Sequence, residues 1–332
     1  IRIQNFSYDE TSHIVADLLP NSTDRTADLF QKSGGNPLFL IELIHQMQNQ
    51  EEETFSARMV NVIRSLLIRV EPDDMELLNT LLFFDEGATI EELSSCYVNK
   101  EVNLYSILEK LIIYHLVDEV EKDSKIYYQF HNFCVRQYLC EQMSSGKRKI
   151  ICERIVQYYL HRLEDNEDRA VICKLIQYYW KGGDLYHYYF YKIHYYNDIS
   201  TLYYEDYPRL EVTVPCSVTD RLADIDQHAL TEIEKALTEL KGESVQELKM
   251  LLLFIRGRLE IFYGQYREGL NHLFAGLELS QILENSTMAL RIYSQVALCY
   301  MKMGNYELAR ENIRQYDKIA QKTASFMEDG YS

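Results

Sequence analysis

The sequence predicts a mostly α-helical chain in which a short helical segment leads into a winged-helix domain with one small β-hairpin, followed by an α-solenoid of tetratricopeptide-like helix pairs. Three observations carry that expectation. Apolar residues recur at three- and four-residue spacing along most of the length. One stretch, "LVDEVEKDSKIYYQF" (116–130), instead alternates on either side of a Lys-Asp-Ser turn, as a hairpin does. Small residues then recur 12 apart, at 257 and 269 and again at 297 and 309, a mark of stacked helix pairs.

The first element, "YDETSHIVADLL" (8–19), has Asp9 and Thr11 suited to capping, with Ile14, Val15, Leu18 and Leu19 on one face. A second helix begins near "DRTADLFQKS" (24–33) and stops at Gly34-Gly35. In "SGGNPLFLIELI" (33–44) two glycines, an asparagine and a proline run into a third helix, Leu38 to Gln48; Pro37 suits its first turn, where no N–H is needed. A phosphate-cradling loop would carry Lys-Ser or Lys-Thr after its glycines, and this turn carries neither. The acidic link "NQEEETF" (49–55) marks a boundary.

From 57 to 145 the order is "ARMVNVIRSLLIRV", then "PDDMELLNTLLFF" begun by Pro72, a turn at Gly87, "TIEELSSCYV", and "NLYSILEKLIIYHLV". In the last of these, Leu104, Ile107, Leu108, Leu111 and Ile112 form one apolar stripe. Helices followed by the 116–130 hairpin give the order of a winged helix. Its fourth helix offers Glu109 and one lysine among apolar residues, whereas base reading needs exposed Arg, Lys, Asn or Gln, so protein or ligand contacts are expected of it.

Beyond "HNFCVRQYLCEQM" and "KRKIICERIVQYYLHRLED" the chain reads as helix nearly to its end. Gly257, Gly269 and Gly276 take the small-residue slots of one tetratricopeptide unit; Ala297 and Ala309 take two slots of the next, where Tyr316 fills the third. Gly264 and Tyr266 recur 40 residues on as Gly304 and Tyr306. The tyrosine-rich "LIQYYWKGGDLYHYYFYKIHYYNDISTLYYEDY" (175–207) reads as inter-helix packing with "KGGDL" as a hairpin turn, and "DYPRLEVTVPCS" (206–217), with two prolines, as an extended connector.

Composition narrows the function classes. The 332 residues exceed what one core usually holds, so two or three domains are expected. A 47% apolar and 26% charged composition is ordinary for a globular protein, and no apolar run is long enough to cross a bilayer, so a soluble cytoplasmic protein without membrane contact is expected. Residue 1 is Ile and the opening lacks the features of a signal peptide, which suggests a piece of something larger. With 34 Lys and Arg against 51 Asp and Glu, the net charge of -17 repels a phosphate backbone; "GKRK" (146–149) reads as a solvated turn, and no direct nucleic-acid contact is expected. Seven scattered cysteines without a C-x-x-C pair read as reduced thiols, and the Asn21 and Asn285 glycosylation patterns carry no weight without a secretory signal.

Few residues suggest chemistry. "LLFFDE" (81–86) looks like the apolar strand and paired acids of a nucleotide hydrolase, but Met75, Leu78, Leu81 and Leu82 fit a helical face from Pro72. His187 and His194 lie two turns apart on one helix, about 10 Å, too far to share a zinc without a third ligand. Cys134 reads as core, and no catalytic triad is legible. His131 stands where the hairpin ends and the next helix begins, placed either to donate to an anion beside that helix end or merely to cap it.

Taken in order, "GGNPLFLIELI", a linker, the winged-helix pattern, "YYQFHNFCVRQYLCEQMSSGKRKIICERIVQYYL" and the helix pairs resemble the C-terminal two-thirds of a STAND-type signalling ATPase. The likeness is to the branch of the maltose-operon activator and other large LuxR-type regulators, and it spans nearly the whole chain. It implies a lid of a nucleotide-binding module over 1–50, a winged helix over 57–145 and tetratricopeptide-like repeats over 146–330. It implies that Pro37, after Gly35, packs on adenine and that His131 reaches the β-phosphate of ADP, so that ADP or ATP is the cofactor of a full-length parent. The phosphate loop, the magnesium acid and a helix-turn-helix output module are absent from the 332 residues, so the chain by itself is expected to be no enzyme and to retain no nucleotide tightly. The resemblance implies the sensor portion of a transcriptional regulator, partnered by the missing ATPase core and by a protein or small inducer on the repeats. The alternatives are an interaction scaffold without nucleotide dependence and the regulatory region of a cyclase or kinase.

Overall fold

Ser7, rather than Asp9 or Thr11, caps the first helix, α1 (Tyr8–Leu18). Its hydroxyl accepts from Glu10 N while the Glu10 carboxylate accepts from Ser7 N at 2.8 Å, a reciprocal capping box. That bonding holds the Glu10 carboxyl below its ordinary pKa. Thr11 is buried and donates to Ser7 O, and of the expected apolar face Leu18 turns outward while Val15 goes in. The computed structural model describes residues 5–20, 23–49, 55–99, 103–165, 169–204 and 227–329. Most of the 49–55 link, the 206–217 connector, and Asn21 and Ser22 lie outside them.

The chain divides into two units, Ile1–Tyr158 and Tyr159–Ser332. In the first, α2 (Thr26–Ser33) ends at Gly34 in the left-handed conformation, φ 59°, and α3 (Pro37–Asn49) begins three residues later. Asn36 caps α3: its Oδ1 accepts from Leu38 N and Phe39 N, which leaves Pro37 at the first position, where its missing N–H costs nothing. Val15, Leu29, Leu40 and Ile44 form the small core of these three helices.

The winged helix follows as α4 (Ala57–Leu67), α5 (Pro72–Leu81), α6 (Ile90–Cys96) and α7 (Leu104–Ile113), then β1 (Val117–Lys122) and β2 (Lys125–Phe130). The strands pair antiparallel from Val117 with Phe130 to Lys122 with Lys125. Asp123 and Ser124 both take positive φ, 50° and 61°, the twist that a two-residue hairpin turn demands. Ala88 adds an isolated antiparallel bridge to the other side of β2 by pairing with Tyr128. α5 stops at Leu81, so "LLFFDE" is helix end and turn rather than strand, and Asp85 accepts from Arg136 at 2.5 Å. On α7 the stripe is buried at Ile107, Leu108 and Leu111, and its lysine, Lys110, is tied to Glu71 at 3.1 Å. Tyr105 and Ile113 face outward at 59% and 71% exposure, alongside the exposed Ser106 and Glu109.

Two more helices, α8 (Phe133–Gln142) and α9 (Ser145–Asp165), follow the hairpin. The "GKRK" segment sits in the first turn of α9, where Lys147 and, a little further on, Arg154 both reach Glu76.

In the second unit α10 (Arg169–Gly182) and α11 (Leu185–Tyr204) form a helical hairpin. α12 (Gln227–Glu239) precedes two further pairs, α13 (Glu243–Phe262) with α14 (Tyr266–Ile282) and α15 (Ser286–Lys302) with α16 (Tyr306–Asp329). At the first pair Gly257 and Gly269 meet backbone to backbone: a methyl on Gly257 would lie 3.0 Å from Gly269 O and 2.7 Å from Leu273 Cγ. Only hydrogen allows that approach. The tyrosines pack between helices as expected, with Tyr178 stacked on Tyr159 and Tyr179 on Tyr191, and burial pushes the Tyr179 hydroxyl up to about 12. Asn285 of the second glycosylation pattern caps α15 through Met288 N.

Candidate functional site

His131 does not cap α8. Asn132 does, its Oδ1 accepting from Cys134 N at 2.8 Å and Val135 N at 3.3 Å. The Asn132 amide is turned the other way and donates to Ser33 O at 2.7 Å, so one buried side chain starts α8 and ties it to the end of α2. Cys134 adds a second tie, its thiol lying 3.1 Å from Lys32 O; burial raises that thiol to about 12, which makes it a packing group and not a nucleophile.

These ties bring the Gly34-Gly35 turn against the residue before the cap. Asn5 Nδ2 donates to Gly34 O at 3.1 Å and lies 3.4 Å from His131 Nε2. Phe6 N donates to Gly35 O at 2.7 Å, and Gly35, at φ 70°, faces Phe6 O so closely that a β-carbon has no room. The other ring nitrogen, His131 Nδ1, lies 2.9 and 3.1 Å from the two oxygens of Asp118 on β1. The His115 ring, from the turn before β1, stands 5.8 Å from that of His131. Of the residues singled out in the sequence, His131 is thus joined through Asn5 to Gly34, Gly35 is held beside that contact by Phe6, and Pro37 stands two residues on, half-buried, at the start of α3.

Asn5, Asp118 and Asn132 were not singled out. Asn132 alone left a signal, an asparagine just ahead of an apolar helical run. Nothing local marks Asn5, which is 126 residues from its histidine.

The other chemical candidates resolve into structure. His187 lies 2.8 Å from Asp184, the residue whose Oδ1 accepts His187 N at the start of α11, and its ring stacks on Tyr179. Among the described residues no group of three His, Cys, Asp or Glu is placed to hold a metal ion. No described helix is long and apolar enough to cross a membrane.

No family model and no curated protein matches the chain. A solved structure from Pyrococcus horikoshii, a Signal Transduction ATPase with Numerous Domains (STAND) protein with a tetratricopeptide repeat sensor, is similar at 16% identity and a TM-score of 0.29. The match covers 98% of this chain but 55% of that one, so the chain spans little more than half of its length. At that score the two do not superimpose as wholes, and the likeness decides nothing about this chain's fold or chemistry.

Proposed function

We propose that the chain is the regulatory portion of a nucleotide-dependent STAND-type switch. In this reading residues 1–50 are its lid, the winged helix clamps or releases an ATPase core, and the helix pairs bind a protein partner or inducer. Transcriptional control of the LuxR type is the output this reading favours. The observation that supports it is the meeting of the Gly34-Gly35 turn with His131 around one amide. A scaffold has no need to bring an imidazole to a lid hinge 96 residues away in sequence. An exposed ring nitrogen that donates once the imidazole is protonated suits a phosphate oxygen. Gly35, Pro37 and His131 would hold ADP in the protein that also carries a phosphate loop, and the nucleotide would set whether the switch is closed.

The test is a calorimetric titration of that phosphate-loop-bearing protein with ADP. Loss of a hydrogen bond to a charged phosphate in His131→Ala should weaken ADP by roughly 10-fold or more. Equal ADP affinity in the variant and the parent would leave His131 without the assigned role.

A further inference from the structure

Asp118, when ionised, can only accept, so the His131 nitrogen facing it, Nδ1, carries a proton. On the far side of the ring the Asn5 amide has its orientation fixed by Gly34 O, a carbonyl that also only accepts. Its NH2 group therefore faces Nε2, and a donor facing that nitrogen leaves it with a lone pair. A ring so held, when neutral, has its one proton on Nδ1. It has nothing to donate to an anion at Nε2.

We propose that Asn5, His131 and Asp118 form a proton-linked latch. An anion that takes a hydrogen bond from Nε2 binds together with one proton from solvent, which makes the ring an imidazolium. The Asn5 amide, now opposite an N–H, must leave, and with it goes one tie on the Gly34-Gly35 turn. Binding at His131 is thereby coupled to release of the segment that braces the hinge. The latch, whose anion is a nucleotide phosphate, rests on the function proposed above; the tautomer does not.

The surroundings suit a ring that gains charge. Asp118 faces it from β1, and the carbonyl end of α2, at Ser33 and Gly34, presents the negative pole of that helix. Lys32 on the same turn is directed to Asp28 at 3.3 Å. The opposing group is His115, whose own protonation 5.8 Å away would disfavour a second imidazolium.

Two measurements decide it. In this chain, long-range proton–nitrogen correlation spectra of labelled histidine should show His131 as the Nδ1–H tautomer at alkaline pH. Asn5→Ala should leave that tautomer in place, held by Asp118, and Asp118→Ala should weaken the preference, which then rests on the longer Asn5 contact alone. An Nε2–H tautomer in the unaltered chain overturns the latch. In the phosphate-loop-bearing protein, ADP is titrated in two buffers of different ionisation heat, about two units above the pH at which the His131 signals titrate. Uptake of about one proton per ADP is expected, falling to about zero in Asp118→Ala, where the freed ring can place its single proton on Nε2. ADP binding without proton uptake overturns the latch and leaves the switch standing, whereas absence of ADP binding overturns both.

Discussion

At the scale of single residues, Asn132 joins two functions that are usually separate. Its oxygen satisfies two backbone N–H groups at the start of α8, and its amide satisfies the Ser33 carbonyl at the end of α2, all at a position only 5% exposed. Asn132→Ala removes the cap and strands a buried carbonyl, so it should cost about 2–3 kcal/mol in denaturant unfolding. Asn132→Ser keeps a capping hydroxyl but cannot reach back to Ser33, and should recover about half of that loss. If Ala and Ser prove equally costly, the cap is not what the oxygen contributes. The same site shows where sequence reading stops. Its two reference points were legible because each has local chemistry: the glycines adopt left-handed backbone, and the histidine stands between an alternating segment and an apolar helix. What joins them was not, because Asn5 and Asp118 are polar residues in ordinary surface patterns whose meaning appears only when the chain has closed.

At the scale of elements, spacing identified the helix pairs well and their tightness less well. Gly257 and Gly269 are in backbone contact, as their 12-residue spacing implied, but Gly276 is not so crowded: a methyl there would meet Ile292 and Leu253 at ordinary distances of 3.5 and 3.6 Å. Two opposite outcomes follow from one chemical change. Gly257→Ala should push α13 from α14 and cost about 1–3 kcal/mol, since the obstruction includes the Gly269 carbonyl as well as a side chain. Gly276→Ala should be neutral or stabilise by up to about 1 kcal/mol, the helix propensity that glycine lacks. Thermal melts of the two variants would separate the readings, and equal losses would mean that periodic glycines here report helix position rather than contact. Helix ends were less legible than helix faces for a related reason. α5 was expected to run to Phe84 but stops at Leu81, where the Arg136 guanidinium takes the Leu82 carbonyl at 3.0 Å from another helix.

At the scale of the whole chain, the two units have separate means of holding together. The first buries apolar residues from Val15 to Val156 and adds polar ties such as Asn132 to Ser33, while the second depends on one long apolar cluster that runs from Ile193 through Phe254 to Cys299. Stability that resides in separate cores need not be lost in one step, and a chain divided in this way is where a single unfolding free energy stops being well defined. Calorimetry should therefore resolve two transitions, with a calorimetric enthalpy larger than the van't Hoff value of either. The residue-scale and element-scale variants assign them. Asn132→Ala should lower one midpoint and Gly257→Ala the other, each leaving its neighbour within about 1 °C, because substitutions without shared partners act independently. If either variant moves both transitions together, the units unfold as one body.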